Sequence, residues 1–412
     1  MQPVRGTHDL LPPEFRKHSR ILNVARGEIE RAGFEEMATP LMEFRSVFDR
    51  TLGDTSDIVT KEMYEIHDRM GEGNIVLRPE GTAGAARAVM SNGLTQSLPL
   101  KYFYQGSMFR YERPQKGRLR QFHQMGVELM GVKDPRGDLE VILLAWNIFN
   151  ALGLESRVQL EINTLGDVES RNAYRSRLLE YLSDFQNELS QDSQIRLQKN
   201  PLRILDSKDP QDKEITKNAP KFSEHLNNLS KEFFGRVLEG LEAFQVPFTR
   251  NENLVRGLDY YCHTAFEFTT TELGSQGTVL AGGRYDGLFP MMGGPLIPSV
   301  GWAGGLDRIA MMLEDILMPR PYVMIAGSDP LMASALKLAD LLRHEGFIVD
   351  MSYQTQIGKA LKYANKISAL GALILGEDES QSGVITFKNL DSGDQSTVPQ
   401  GELVTYLKEM KR

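Results

Sequence analysis

Residues 108–124 read Met-Phe-Arg-Tyr-Glu-Arg-Pro-Gln-Lys-Gly-Arg-Leu-Arg-Gln-Phe-His-Gln. Arg110, Arg113, Lys116, Arg118 and Arg120 crowd into this stretch, opposed only by Glu112. Pro114 and Gly117 mark a turn, and the runs on either side, 107–111 and 121–130, predict two strands folded back as a hairpin. A hairpin gathers the five cations. Planar guanidinium groups grip phosphate oxygens in pairs, so the cluster suits a polyphosphate or a nucleic-acid backbone. Taken alone, the same run reads equally well as a solvated basic hairpin.

Around the hairpin the chain runs as short apolar stretches separated by turns. Residues 74–77 and 100–104 predict further strands, with a helix over 82–90 between them. Successive strands of this kind predict an antiparallel sheet rather than alternating βαβ units. A helix over 139–152 and a strand over 158–163 follow. Upstream, a helix begins at Pro12–Pro13 and runs to about Arg31, where Gly33 ends it. A strand over 34–39 is stopped by Pro40, and the polar residues 51–63 read as a long loop.

Downstream, residues 166–245 are polar and rich in Ser, Asn, Gln and Lys. They are helical where periodic, over 175–189 and 223–243, and read as an inserted helical module. Strands resume at Phe248, over 265–270 and 277–281, and a helix is expected to begin near Ala303. Met318-Pro-Arg-Pro321 is a stiff linker. Beyond it, strands over 322–326, 347–351 and 372–375 alternate with helices over 331–344 and 357–369, which predicts a small parallel or mixed α/β domain. The division expected is therefore 1–165 with 246–318 as one domain, 166–245 as the insertion, and 322–412 as the last. Lys359, Lys362 and Lys366 share one face of a helix, which is either a solvated stripe or a phosphate contact.

The bulk properties exclude several classes. Of 412 residues, 41% are hydrophobic and 25% charged, as in globular proteins, and no run approaches the ~20 apolar residues of a membrane span. The N-terminus does not resemble a secretion signal, and the single cysteine, Cys262, excludes an intramolecular disulfide. A cytoplasmic address is the default. The seven histidines show no metal-ligand spacing, so no protein-ligated metal is expected. The net charge of −8 argues mildly against a nucleic-acid partner, but phosphate contacts are local and one basic face suffices.

Phe109-Arg-Tyr-Glu112 resembles motif 2 of the class II aminoacyl-tRNA synthetases. The stretch from Gly33 to Pro40 resembles motif 1, a dimer element. Gly301-Trp-Ala-Gly-Gly-Leu-Asp-Arg308 resembles motif 3, which carries a second phosphate-binding arginine. Each motif is degenerate alone, and their order and spacing carry the likeness. Arg5-Gly-Thr-His-Asp9, Leu77-Arg-Pro-Glu-Gly-Thr82, Val255-Arg-Gly-Leu-Asp-Tyr-Tyr261 and Ala281-Gly-Gly-Arg-Tyr-Asp-Gly-Leu288 resemble segments of the histidyl-tRNA synthetase family in particular. Asn200-Pro-Leu-Arg-Ile-Leu-Asp-Ser-Lys208 is similar to the start of the insertion in bacterial members. The resemblance implies an α+β fold: an antiparallel sheet flanked by helices, a helical insertion and a C-terminal α/β anticodon-binding domain.

It also implies a homodimer whose partners are L-histidine, ATP with Mg²⁺ and tRNA(His), with no membrane role. Carried over, Arg110 would contact the ATP α-phosphate and Arg308 the γ-phosphate, with Arg118 also on the ATP. Glu112 would accept from the adenine amino group, and Phe122 would stack on the purine. Arg256 would face the α-phosphate opposite Arg110, where sister enzymes use a magnesium ion. Glu80, Thr82 and Gln124 would take the histidine ammonium. Glu128 and Tyr261, beside Tyr260, would bracket the imidazole, and Tyr285 would close the pocket. Arg113, Gln115 and Lys116 would meet the acceptor end of the tRNA. The acidic ligand of Mg²⁺ is unassigned. Read without the family, Phe122 is equally a core aromatic, Glu128 a strand residue facing solvent, and Arg256 a salt-bridging surface residue.

The chain departs from the family pattern at Asp307, where glutamate is usual, and at Trp302, Gly304–Gly305 and Cys262-His263. A rival reading is the synthetase-like, histidine-sensing regulatory subunit of ATP phosphoribosyltransferase. That paralogue typically lacks the C-terminal α/β domain and loses part of the phosphate-binding set.

Overall fold

The hairpin strands are Leu100–Phe109 and Gln121–Met130, paired antiparallel from Leu100 opposite Met130 to Phe109 opposite Gln121. The structure, a computed structural model, describes every residue except 53–57, 68–70, 72, 206, 208, 255–259, 275–276, 355 and 411–412. Among the described residues the hairpin lies within an eight-stranded sheet. Its order is Glu35–Glu36, Leu100–Phe109, Gln121–Met130, Ser299–Gly305, Thr278–Arg284, Cys262–Thr269, Gln159–Thr164 and Phe248–Arg250. The outermost pair at each edge is parallel and the rest are antiparallel.

Helix Arg136–Leu152 closes one face. Its Val141, Ile142, Ala145, Ile148 and Phe149 interleave with Val127, Leu129, Val300, Trp302, Phe266 and Phe268 from the strands. Each fully buried side chain of this kind contributes ~1.5–3 kcal/mol, so this face carries much of the stability. The first helix, Pro12–Arg31, adds Ile21, Ala25 and Ile29 to the same core, with proline in its first turn where the N–H is unneeded. A smaller cluster on the other face is built from helix Thr82–Ser91, Tyr104, Met108 and three tyrosines, Tyr260, Tyr261 and Tyr285.

Several expectations shift. The strands expected over 100–104 and 107–111 are one strand; Gly106 carries it through at φ 152°, with the Arg78 guanidinium standing where a Cβ would be. Residues 301–305 continue a strand held on both sides, so the helix expected near Ala303 starts at Leu306. Only Glu35–Glu36 of residues 34–39 pair as a strand. Within 51–63 the described residues are helical at both ends, closing helix Arg45–Leu52 and forming the π-helical turn Ile58–Glu62.

The helix expected over 175–189 is Val168–Ser183, capped by Asp167 accepting from the Ser170 N–H at 2.8 Å. Tyr174, Leu178, Leu182, Leu197, Ile204 and Phe222 give the polar stretch a core of its own. Helix Asn228–Ala243 does not join it. Phe234, Val237 and Leu241 pack into the main core beside helix Arg136–Leu152.

The described chain forms two compact units, Met1–Ile316 and Leu317–Arg412. The second has the mixed five-stranded sheet Val349–Ser352, Tyr322–Ala326, Gly371–Leu375, Val384–Asn389 and Gln395–Pro399. Its first three strands are parallel. Tyr322, Met324 and Ala326 face helix Met332–His344, while Val323 and Ile325 face helix Ile357–Lys366. Burial on both faces explains why Tyr322–Ala326 reads as an unbroken apolar run. Lys359, Lys362 and Lys366 are exposed.

Candidate active site

The pleat of Gln121–Met130 sorts its residues. Met125, Val127 and Leu129 enter the main core, while Phe122, Gln124 and Glu128 line a pocket on the opposite face. Glu128 is completely buried, so its alternation with Val127 and Leu129 aims it at the pocket and not at solvent. Glu80, Thr82, Arg110, Glu112, Arg118, Tyr260, Tyr261, Tyr285 and Arg308 line the same pocket. Arg256 lies outside the described residues, as does the rest of 255–259.

One group of lining residues is cationic. Arg110 Nε donates to the Pro79 carbonyl at 2.9 Å, and its guanidinium stands 5.2 Å from the Phe122 ring centre. Arg118 pairs with the buried Glu112, and Arg110 approaches that carboxylate to 3.9 Å. Arg308 donates to the Gly117 carbonyl at 2.8 Å and the Thr278 carbonyl at 2.7 Å. Burial lowers the Arg308 pKa, and the charges of Arg110 and Arg118 lower it further. Arg308, disfavoured by the charges of Arg110 and Arg118, stands in a site that a polyanion stabilises.

The second group surrounds Glu128. The Tyr285 hydroxyl donates to one carboxyl oxygen and the Tyr104 hydroxyl to the other at 3.2 Å. Tyr104 also reaches the Thr82 hydroxyl at 3.5 Å. The rings of Tyr260 and Tyr261 lie 4.7 Å apart, and Tyr260 meets Tyr285 edge-on at 5.8 Å. Burial pushes Glu128 up to about 8 against the opposing hydroxyl bonds, so near neutrality it is mostly protonated. Glu80 accepts from the Thr82 and Ala83 N–H groups at 2.7 and 2.8 Å, closing the start of helix Thr82–Ser91. Its pKa is raised by burial, against those two bonds. Gln124 Oε1 is buried with no hydrogen-bond partner among the described residues, an acceptor suited to an arriving N–H.

At the hairpin tip Gln115 and Arg118 bridge backbone to backbone, leaving Arg113, Gln115 and Lys116 exposed. Arg120, counted in sequence with the phosphate-binding cations, has another task. It stacks on Tyr111 at 4.1 Å and donates to the Arg5 and Glu112 carbonyls, tying the N-terminal segment to the hairpin.

Some contributing residues escape sequence reasoning. Nothing local marks Tyr104; its trace is Gly81 and Gly126, where a Cβ would run into its ring. Arg78, within a quoted motif but given no role, is buried and donates to Thr39 and the Ser107 carbonyl at 2.9–3.0 Å, fixing Pro79 and Glu80. Arg284 forms a fully buried pair with Asp138 beside Tyr285. Cys262 is buried, and burial pushes its thiol up to about 12, which fits packing and not reactivity. The absence of metal-ligand spacing among the histidines hid one cluster: His18, His123 and Asp307 present ligand atoms within 4.8 Å of one another. Burial lowers the His18 pKa. Burial opposes ionisation of Asp307, but the His123 ring and N–H outweigh it and hold Asp307 low.

A family model described as histidyl-tRNA synthetase matches residues 6–309, and one described as an anticodon binding domain matches residues 322–410. The chain belongs to the histidyl-tRNA synthetase family. It is similar to the histidine–tRNA ligase of Rhodospirillum rubrum, 53% identical over 409 residues that span 99% of this chain and 98% of the relative. The histidine–tRNA ligase of Gluconobacter oxydans is 48% identical, with the same shares covered. The solved structure of apo S. aureus histidyl-tRNA synthetase is 32% identical and superimposes with a TM-score of 0.82 over 98% of this chain and 99% of that one. The chain is thus an enzyme of the ATP-dependent tRNA-aminoacylating class. The anticodon-binding match covers the region that the regulatory paralogue typically lacks, so that reading has the lesser support.

Proposed function

We propose that the chain activates L-histidine with ATP to histidyl-adenylate in the pocket described, and transfers it to the 3′ end of tRNA(His). The observation that carries this reading is the joining of two unlike chemistries in one pocket. Arg110, Arg118 and Arg308, the first two acting against the charge of the third, stand in the same cavity as a buried carboxyl ringed by tyrosine hydroxyls.

Negative charge grows at the ATP α-phosphate as the histidine carboxylate attacks. Arg110, already fixed by Pro79, is the preorganised cation for it, and Arg256 acts from the opposite side. Arg308 and Arg118 bind the remaining phosphates. Phe122, beneath the Arg110 guanidinium, is the stacking face for adenine, and Glu112 accepts from its amino group. Glu80, Thr82 and Gln124 receive the ammonium; Glu128, Tyr260, Tyr261 and Tyr285 enclose the imidazole. A buried polar pocket of this kind rejects side chains that leave its groups unpaired.

Magnesium arrives with ATP and bridges phosphate oxygens, using few protein carboxylates. Glu267 fits that use: it lines the pocket, and its charge acts on Arg308. Arg113, Gln115 and Lys116 meet the acceptor end of the tRNA, and residues 322–412 hold its anticodon stem. The working form is a homodimer, supported by exposed Leu41, Met42 and Phe44, which follow the edge strand Glu35–Glu36 in the chain. No helix of the described residues is long and apolar enough to cross a membrane, which accords with a cytoplasmic address. The test is charging of a mixed tRNA pool with each amino acid in turn. Histidine alone becomes attached to tRNA; attachment of a different amino acid, or none by folded protein, refutes the assignment.

A further inference from the structure

Three side chains from three distant parts of the chain meet behind Arg308. His18 comes from helix Pro12–Arg31, His123 from strand Gln121–Met130, and Asp307 from the start of helix Leu306–Ala310. His18 is 5% exposed, and the two imidazole rings meet edge-on at 86° with centres 5.2 Å apart. One Asp307 oxygen accepts from the His123 backbone N–H at 2.6 Å. The other stands 3.6 Å from His18 Nε2 and 3.4 Å from His123 Nδ1.

The His123 distance is that of a long hydrogen bond, and the His18 distance is beyond one. Good N–H···O bonds span about 2.7–3.2 Å, and a contact of about 3.6 Å is not one. Both distances are near the edge of a tetrahedron, and the three ligand atoms all lie within 4.8 Å of one another. Ligands about 2.0–2.1 Å from a zinc ion stand about 3.4 Å from one another. Two imidazoles and one carboxylate are also a donor set that borderline divalent ions favour.

We propose that His18, His123 and Asp307 bind a divalent cation of the zinc class, with water as the fourth ligand. The ion joins the first helix, the hairpin strand and the helix that carries Arg308. Its place is one residue from Arg308, and Asp307 also borders the pocket. Its work is positional: it fixes the backbone from which Arg308 reaches the Gly117 and Thr278 carbonyls. Asp307 suits this better than the family's glutamate, because the shorter side chain keeps its carboxylate against the helix start while both histidines approach. The proposal rests on geometry in this chain and stands whether or not the residue roles proposed for the substrates hold.

The test uses the full-length protein, stripped with a chelator and titrated with Co²⁺, whose visible ligand-field bands report tetrahedral coordination. The expected result is saturable binding of one Co²⁺ per chain, displaced by Zn²⁺. In His18→Gln binding is lost with the circular dichroism spectrum retained, and histidine-dependent pyrophosphate exchange shows a raised KM for ATP with kcat near wild type. Binding undiminished in His18→Gln overturns the proposal, as does the absence of saturable Co²⁺ binding by wild type. Should His18→Gln fail to fold, X-ray absorption on the Zn²⁺-loaded wild type decides. Scattering from two imidazoles supports the site, and scattering without imidazole overturns it.

Discussion

Glu128 has no exposed surface and three hydroxyl groups around it, and burial pushes its pKa up to about 8 from an ordinary 4.5. Between those values the folded protein keeps a proton that the unfolded chain gives up. The stability this proton brings is whole below about pH 4.5 and is lost as the pH rises through about 8. Glu128→Gln has no such proton. The melting temperature of the ligand-free wild type, taken relative to this variant, should therefore fall between about pH 5 and about pH 9 in a fluorimetric melting series. Parallel curves would show that Glu128 titrates normally. The motif position singled out Glu128, and it does line the pocket. Its burial was not legible, because alternation beside Val127 and Leu129 fixes which side it faces but not what covers that side. Tyr104 was illegible for the same reason: its value lies in Glu128 and Thr82 across the fold.

Elements were legible where a local signal governed them and shifted where partners governed them. Pro12–Arg31 was bounded by its prolines and Gly33, and the hairpin by Pro114 and Gly117. Residues 303–305 look like a helix start but continue a strand, because neighbours on both sides offer backbone partners. Trp302 sits in that strand, 2% exposed, and its indole N–H donates to the Val141 carbonyl at 2.9 Å. The bond pins helix Arg136–Leu152 to the sheet. Trp302→Phe should cost about 1–2 kcal/mol of unfolding free energy, seen as a lower urea midpoint with unchanged slope. The hairpin tip gives a functional prediction. Arg113→Ala with Lys116→Ala should leave pyrophosphate exchange near wild type and raise the KM for tRNA. The salt dependence of tRNA binding should flatten by roughly one unit of slope per cation removed. An equal loss of exchange would place these residues on ATP instead.

At the scale of the molecule, composition separated the stiff linker at 318–321 from what surrounds it, and the two compact units divide at Ile316 and Leu317. The polar stretch was harder to bound. Helix Asn228–Ala243 shares its neighbours' composition, yet Phe234, Val237 and Leu241 belong to the main core. Composition reports surface, and this helix is polar on the side turned outward. The order of motifs carried most of the site: from Glu80 to Arg308, residues far apart in the chain line one pocket. The electrostatics were not readable, since the lowering of Arg308 depends first on its burial and then on Arg110 and Arg118 arriving from another element. The most direct test of the account is ATP–pyrophosphate exchange without tRNA, against each of the twenty amino acids, for wild type, Arg110→Ala and Arg308→Ala. The account predicts exchange with histidine alone, reduced in each variant by about a hundredfold or more. Folded wild type that binds histidine but exchanges no pyrophosphate, or variants that exchange at the wild-type rate, would contradict it.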